Sequence, residues 1–280
     1  PSMTRIAVIG GGKIGGALIG GLIDGGVDPK SIYLVQRSEA RRRELREMYG
    51  VVDADDVHQA VDGADVVFLC VKPYGIVPML ENIAGTIDDG EGETVVVSMA
   101  AGVTLDEMES VVPVGTPVVR VMPNTPMLVG RGVSALAAGR FADDSHVTMV
   151  SDLLSKIGMA VQVEENQMDA VTAVSGSGPA YFFQFVEAMV DAGVALGLPR
   201  ETAQKLATAT AAGAGDDRID GVAGNNILVG SLGNNLIHTG TGDSRVYAGN
   251  DTTVVNNGGN DVINAPEAIA DRITAEAGAS

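Results

Sequence analysis

The sequence predicts an α/β protein with an N-terminal parallel-sheet domain, a helical domain after it, and an atypical Gly/Asn-rich repeat segment near the C-terminus. Three observations carry the prediction. Over residues 3–165, short β-branched apolar runs alternate with helix-compatible stretches, the pattern of parallel strands joined by crossover helices. Over residues 166–215 the apolar positions fall at helical spacing. From Gly215 onward a glycine returns every nine residues, which marks a repeat. With 280 residues and 45% hydrophobic content, the chain can fill about two cores without staples.

The first strand, residues 5–9, runs directly into "GGGKIGGALIGGLIDGG", where Ala17, Leu18, Gly21 and Leu22 sit at helical spacing. Gly10, Gly12 and Gly15 satisfy G-x-G-x-x-G. One glycine makes the tight turn, one lets a pyrophosphate approach the backbone, and one lets helix pack on strand. Lys13 and Ile14 open the helix, whose N-terminus then faces the phosphates. In this context the spacing predicts a Rossmann-type dinucleotide site; the plainer reading is a turn that merely uses glycines. The second strand, 31–35, ends at Gln36-Arg37-Ser38, where an NAD enzyme would place an acid on the ribose 2′-hydroxyl. No acid is there. Arg37 and Ser38, with Arg41 nearby, suit a 2′-phosphate and hence NADP(H). The alternative, a charged and solvated helix start, fits Arg42, Arg43 and Arg46. Further strands are expected at 64–71, 94–98 and 117–121, with a helix over 104–111. Ligands of such sheets bind beyond the carboxyl ends of the strands, which directs attention to the segments 71–73, 98–102 and 120–126. Each also reads as an ordinary loop leaving a sheet.

In the helical domain Pro179 fits a first helical turn, and Phe182, Phe185, Val186, Met189 and Val190 form one apolar stripe, either core or dimer interface. The motifs "GGGKIGGALIGGL", "VKP", "SMAAGV", "RVMPNTP" and "AVTAVSGSGPAYFFQFVEAMVDAGVALGL", in that order, resemble the pyrroline-5-carboxylate reductase family over about residues 3–215. The resemblance implies a Rossmann domain followed by a helical domain through which subunits associate into a homodimer or higher homo-oligomer. It also implies NADPH reduction of a small cyclic imine, 1-pyrroline-5-carboxylate, to L-proline. By motif match, Val71, Lys72 and Pro73 border the cofactor ribose, and Ala100 and Asn124 lie near the nicotinamide. Ser175, Gly176, Ser177 and Glu187 face the substrate pocket. Read from the residues alone, Ser175 and Ser177 also suit helix capping before Pro179, and Glu187 a solvated helix position. β-Hydroxyacid dehydrogenases, of similar layout, need a lysine in the second domain. Here only Lys205 occurs between Asp169 and the C-terminus, outside any matching motif.

The resemblance stops near residue 215. The family continues with helices, one opening on a Ser-Pro-Gly-Gly-Thr-Thr motif that receives the substrate carboxylate, and this sequence lacks it. Instead Gly215, Gly224, Gly233 and Gly242 recur, each followed by Asp or Asn, as do Ile219, Leu228, Ile237, Val246 and Val255. The pattern over 216–264 resembles a degenerate calcium-binding nonapeptide of a short β-roll, with one apolar residue per turn. Its third positions run Asp217, Asn226, Asn235, Ser244 and Thr253, losing the carboxylates calcium prefers. The readings left open are calcium binding, an uncharged solenoid and a mobile polar segment; no metal site is assigned. A final helix is expected within residues 265–280, over 266–277, with Ile269 and Ile273 on one face.

A net charge of −18 disfavours a nucleic-acid surface, which needs clustered cations. The single cysteine, Cys70, excludes an intrachain disulfide, and no apolar run is long enough to span a membrane. A cytoplasmic protein is expected. The alternative to an NADP-dependent reductase is a catalytically impaired NADP-binding protein whose repeat module binds calcium or self-associates.

Overall fold

The computed structural model describes residues 4–90 and 92–213 and, beyond them, residues 218–220, 227–229, 236–239, 241–247, 253–256, 262–264 and 273–275. The chain divides between Tyr181 and Phe182 into two compact units. That is later than the boundary at 165/166 expected from sequence. The reason is that the segment after 165 is tied to the first unit: Met168 is buried in its core, and the Glu165 carboxylate pairs with Arg120 at 2.7 Å.

The first unit is built on an eight-stranded sheet: β1 (Ile6–Ile9), β2 (Ile32–Val35), β3 (Val52–Asp53), β4 (Val66–Leu69), β5 (Val95–Ser98), β6 (Val118–Met122), β7 (Gly132–Ala138) and β8 (Gly158–Gln162). Its order is β3-β2-β1-β4-β5-β6-β7-β8. Ile6 pairs with Ile32 on one side and Val66 on the other, so β1 is central and the strand order reverses beside it. The first six strands are parallel, as the alternating pattern requires. β7 runs antiparallel to β6, a reversal absent from the sequence-based expectation. A short 3-10 turn, Thr125–Val129, joins them, and it is too short for a crossover helix.

Alternation along each strand sends side chains to two cores. Ile6 and Val8 pack with Leu18, Ile19 and Leu22 of α1 (Lys13–Asp24) and with Leu45 of α2 (Glu39–Tyr49). Ala7 and Ile9 face the other way, toward Ile76, Leu80 and Ile83 of α4 (Pro73–Asp88), which follows the short α3 (Val57–Val61). Strands buried on both faces explain the unbroken runs IAVI and VVFL. α5 (Leu105–Glu109) opens on a reciprocal cap, with the Glu107 amide donating to Thr104 Oγ1 at 3.2 Å and the Thr104 amide to Glu107 Oε2 at 2.8 Å. That backbone donor holds the Glu107 carboxyl below its usual range. α6 (Asp144–Leu154) lies between β7 and β8.

After β8 come α7 (Met168–Val171), a π-helical turn over Thr172–Gly176, and α8 (Gly178–Ala195), which runs into the second unit. There α8 meets α9 (Arg200–Gly213) through Val190, Ala203 and Ala207, with Val186 half-buried against them. The predicted stripe is therefore split. Val186 and Val190 face α9, whereas Phe182 and Phe185 are 73% and 66% exposed.

Among the described residues seven strands follow: β9 (Arg218–Asp220), β10 (Ile227–Val229), β11 (Leu236–His238), β12 (Arg245–Tyr247), β13 (Thr253–Asn256), β14 (Val262–Asn264) and β15 (Ile273–Ala275). Alternate strands fall into two parallel sheets, β15-β13-β11-β9 and β10-β12-β14. Leu228, Ile237, Val246 and Val254 form the buried cluster between them, with Ile263 against it. Two sequence expectations need correction. The inward residue of β13 is Val254, paired with Ile237, and not Val255, because the segment entering β13 is one residue shorter than the period and a one-residue shift exchanges the faces. The C-terminal helix expected over 266–277 is contradicted at Ile273–Ala275, which pair with β13 as a strand. A short helix without packing is marginal, whereas β-branched Ile273 and Thr274 extend an open ladder. The rest of that helix, and the repeat positions Asp216, Asp217, Asn225, Asn226, Asn234 and Asn235, lie outside the described residues. Among the described residues no helix is long and apolar enough to cross a membrane.

Candidate functional site

A cleft of about 640 Å³ opens beyond the carboxyl ends of β1, β2, β4 and β5, where the strand order reverses. This is the position at which doubly wound sheets bind ligands, and the volume suits an extended one. Of the residues singled out from sequence, Gly10, Gly12, Lys13, Ile14, Arg37, Val71, Lys72, Pro73 and Ala100 line it together.

The floor is the turn from β1 into α1. Gly10 adopts φ +102°, and a Cβ there would stand 2.6 Å from the Cys70 carbonyl oxygen. Gly15 does not line the cleft; it lets α1 approach the turn, since its Cβ would lie 1.9 Å from Gly10 O. Gly12 caps α1, and a Cβ on it would meet nothing within 4 Å. The first-turn amides of α1, without helical partners, therefore border open space, a cradle an anionic pyrophosphate fits.

One wall carries Val35, Gln36 and Arg37. The Gln36 side chain accepts from the Arg37 amide at 2.9 Å, so no carboxylate occupies the end of β2. Ser38, also assigned to the cofactor, is the N-cap of α2, its hydroxyl accepting from the Arg41 amide at 3.3 Å, and it does not line the cleft. The opposite wall is the start of α4, where Lys72 is the cap and Pro73 the first helical residue. Tyr74, 82% exposed, stands at its rim. Met99 and Ala101 fall within the expected segment 98–102, whereas Gly11, Cys70, Tyr74 and Met79 were not anticipated. Only their adjacency to anticipated residues could have signalled them. Burial pushes the Cys70 thiol up to about 12, which favours its protonated form.

Asn124 is placed outside the cleft lining, with its amide occupied at both ends. Nδ2 donates to the Ser175 carbonyl at 3.1 Å, and Oδ1 accepts from the Val133 amide at 2.8 Å. It thereby fastens the loop after β6 to the π-helical turn that carries Ser175 and Gly176. In that turn the Ser177 amide reaches back to Thr172 O at 2.8 Å, and the Ser175 hydroxyl donates to Val171 O at 3.1 Å. Such turns recur at functional sites because they re-aim side chains. The Ser177 hydroxyl makes no hydrogen bond among the described residues and is half-buried. Glu187 belongs to the second unit and is exposed on α8.

In the repeat region the turn between β11 and β12 closes on a hydroxyl. Ser244 Oγ, buried, donates toward Thr239 O at 3.3 Å and Gly242 O at 3.5 Å. A serine thus fills a third position of the repeat, where a calcium-binding coil needs a carboxylate. Adding millimolar calcium is expected to produce little gain of β signal in circular dichroism; a large saturable gain would show that the coils fold on the metal.

Comparisons with known proteins match two separate stretches of the chain. A family model described as pyrroline-5-carboxylate reductase dimerisation matches residues 165–220, and one described as NADP oxidoreductase, coenzyme F420-dependent, matches residues 5–102. A pyrroline-5-carboxylate reductase of Corynebacterium melassecola is 55% identical over 212 residues, 76% of this chain and 78% of that protein. The solved pyrroline-5-carboxylate reductase of Coxiella burnetii superposes with a TM-score of 0.72 at 35% identity, over 76% of this chain and 78% of its own. That of Plasmodium falciparum, solved with NADP bound, gives a TM-score of 0.66 at 26% identity, over 75% and 77%.

Proposed function

The chain belongs to the pyrroline-5-carboxylate reductase family, and from that premise we propose that it reduces 1-pyrroline-5-carboxylate to L-proline with NADPH. The observation that carries the proposal is the cleft at the strand-order reversal, with unpartnered helix amides at one point of its wall and Arg37 at another. NADPH, when bound, supplies the hydride for the imine carbon. The protein supplies position and exclusion of water.

In this reading Gly10, Gly12, Lys13 and Ile14 receive the pyrophosphate, and Gly15 keeps the helix close enough for them to do so. Arg37 holds the 2′-phosphate with Ser38 at its edge, and Val71, Lys72 and Pro73 border the ribose. Ala100 and Asn124 serve the nicotinamide end, Asn124 by holding the Ser175 turn in place. Ser175, Gly176, Ser177 and Glu187 serve the substrate, Ser177 with a hydroxyl that has no competing partner among the described residues. The exposed Phe182, Phe183 and Phe185 on α8 suit a second copy of this chain, in line with the dimerisation model that matches this segment.

The test of the reaction is NADPH oxidation on addition of 1-pyrroline-5-carboxylate, followed by absorbance, with L-proline identified as the product. Absence of proline rejects the activity. Cofactor choice has its own test. Arg37→Ala is expected to weaken NADPH by about 1–3 kcal/mol, the worth of a charge-assisted contact, and leave NADH nearly unchanged. Equal weakening of both would remove Arg37 from the 2′-phosphate.

A further inference from the structure

Arg41, which the sequence places beside Arg37 and Ser38 as a candidate for the 2′-phosphate, is not among the residues that line the cleft. It stands on the first turn of α2, yet its Nε donates to the Gly11 carbonyl at 2.7 Å, thirty residues back in the chain. One guanidinium nitrogen donates to Glu44 Oε2 at 2.8 Å, which holds the group in place. The remaining one lies against α1, 2.5 Å from where a Cβ on Gly16 would be. The side chain is 32% exposed and does not line the cleft, whereas Gly11 and Gly12 do.

We propose that Arg41 is a positioning residue that locks the Gly11–Gly12 peptide plane with the Gly12 amide available to the cofactor pyrophosphate; the inference rests on the dinucleotide reading of the cleft. In a trans peptide the carbonyl and the following N–H point in opposite directions, so a guanidinium that pins Gly11 O also sets the direction of Gly12 N–H. No group among the described residues accepts from the Gly12 amide. With no Cβ on either side, this peptide can rotate into either orientation at little steric cost. The flipped orientation turns a carbonyl oxygen toward the phosphates and repels them. Arg41 opposes the flip, and its charge polarises the same peptide so that the amide becomes a better donor. In a chain of net charge −18, a cation held behind the phosphate loop also offsets a field unfavourable to a dinucleotide. Arg37 and Arg41, which the sequence groups together, thus divide the work: Arg37 reads the 2′-phosphate, and Arg41 shapes the loop common to both nicotinamide cofactors.

Calorimetric titration of the full chain with NADPH, NADH and 2′-AMP, which carries the 2′-phosphate without a pyrophosphate, tests the division. Arg41→Gln is expected to weaken NADPH and NADH by the same factor, roughly tenfold for one lost charged hydrogen bond, with 2′-AMP unchanged. Arg41→Lys, which keeps a donor for Gly11 O, is expected to recover part of that loss. Thermal unfolding of each variant separates this from a general loss of structure, which would weaken 2′-AMP as well. If Arg41→Gln unfolds, Arg41→Lys is read by the same criterion. A loss confined to NADPH and 2′-AMP would make Arg41 a direct 2′-phosphate contact and overturn the proposal, as would no loss at all. Failure of the unaltered chain to bind NADPH is a different result, which rejects the cofactor reading and this inference with it.

Discussion

Gly15→Ala is expected to lower NADPH affinity by at least about a hundredfold, because a misplacement of roughly 1 Å in a positioning element has that consequence. The added Cβ would stand 1.9 Å from Gly10 O and 2.9 Å from Gly10 C, both backbone atoms. Gly10 has nowhere to retreat. Its φ of +102° is set by the turn, and its own α-carbon already faces the Cys70 carbonyl. The start of α1 must therefore lift away from β1 and carry the Gly12, Lys13 and Ile14 amides out of the cleft. The same overpacking is expected to cost about 1–3 kcal/mol of stability, seen as a lower Tm. Gly12→Ala separates the two effects. Its Cβ meets no atom of the chain within 4 Å, so the Tm should barely change while NADPH binding still weakens, since the methyl would stand where the pyrophosphate goes. If Gly15→Ala binds NADPH as well as the unaltered chain does, the glycine turn is not the cofactor cradle.

The second large effect is expected on substrate. The Ser-Pro-Gly-Gly-Thr-Thr helix start that receives the substrate carboxylate in the family is missing, and the chain continues instead into β9–β15. A carboxylate in a partly dry pocket that loses two charge-assisted donors forfeits roughly 1.5–3 kcal/mol for each. We therefore expect kcat/KM for 1-pyrroline-5-carboxylate about 10²-fold below that of the Corynebacterium melassecola reductase assayed alongside, with similar NADPH affinity. Replacing residues 216–264 by that relative's C-terminal helices should raise kcat/KM and leave NADPH affinity nearly unchanged. Equal turnover by the two unaltered proteins would show that strands β9–β15 do not stand in place of an essential part.

Much of the first unit was legible because its signals are local. The runs IAVI, IYLV, VVFL and VVVS sit in strands within a residue or two of the expected places, since strands of a sheet covered on both faces carry near-continuous apolar runs. The glycine spacing located the cleft before any fold was known, because a backbone that bends sharply and meets a helix at close range can use only glycine at Gly10 and Gly15. Of the apolar positions that recur every nine residues, Leu228, Ile237 and Val246 are buried.

What sequence by itself determined, then, is the parallel-sheet class, the place of the cleft at the strand-order reversal and the absence of an acid at Gln36-Arg37-Ser38. Tertiary structure alone decided matters that depend on residues far apart in the chain. The reversal at β7 follows from how little chain joins it to β6, and the shift from Val255 to Val254 from one missing residue between coils. The strand at Ile273–Ala275 forms because β13 offers an open edge, which no local propensity reveals. Asn124 could become the fastener of the Ser175 turn, and Arg41 the clamp on Gly11, only once the fold had brought partners 51 and 30 positions away within 3.1 Å and 2.7 Å. Local periodicity records which face of an element must be dry; which neighbour a polar side chain finds is set by the packing of those faces, and a hydrogen bond needs that neighbour within about 3 Å.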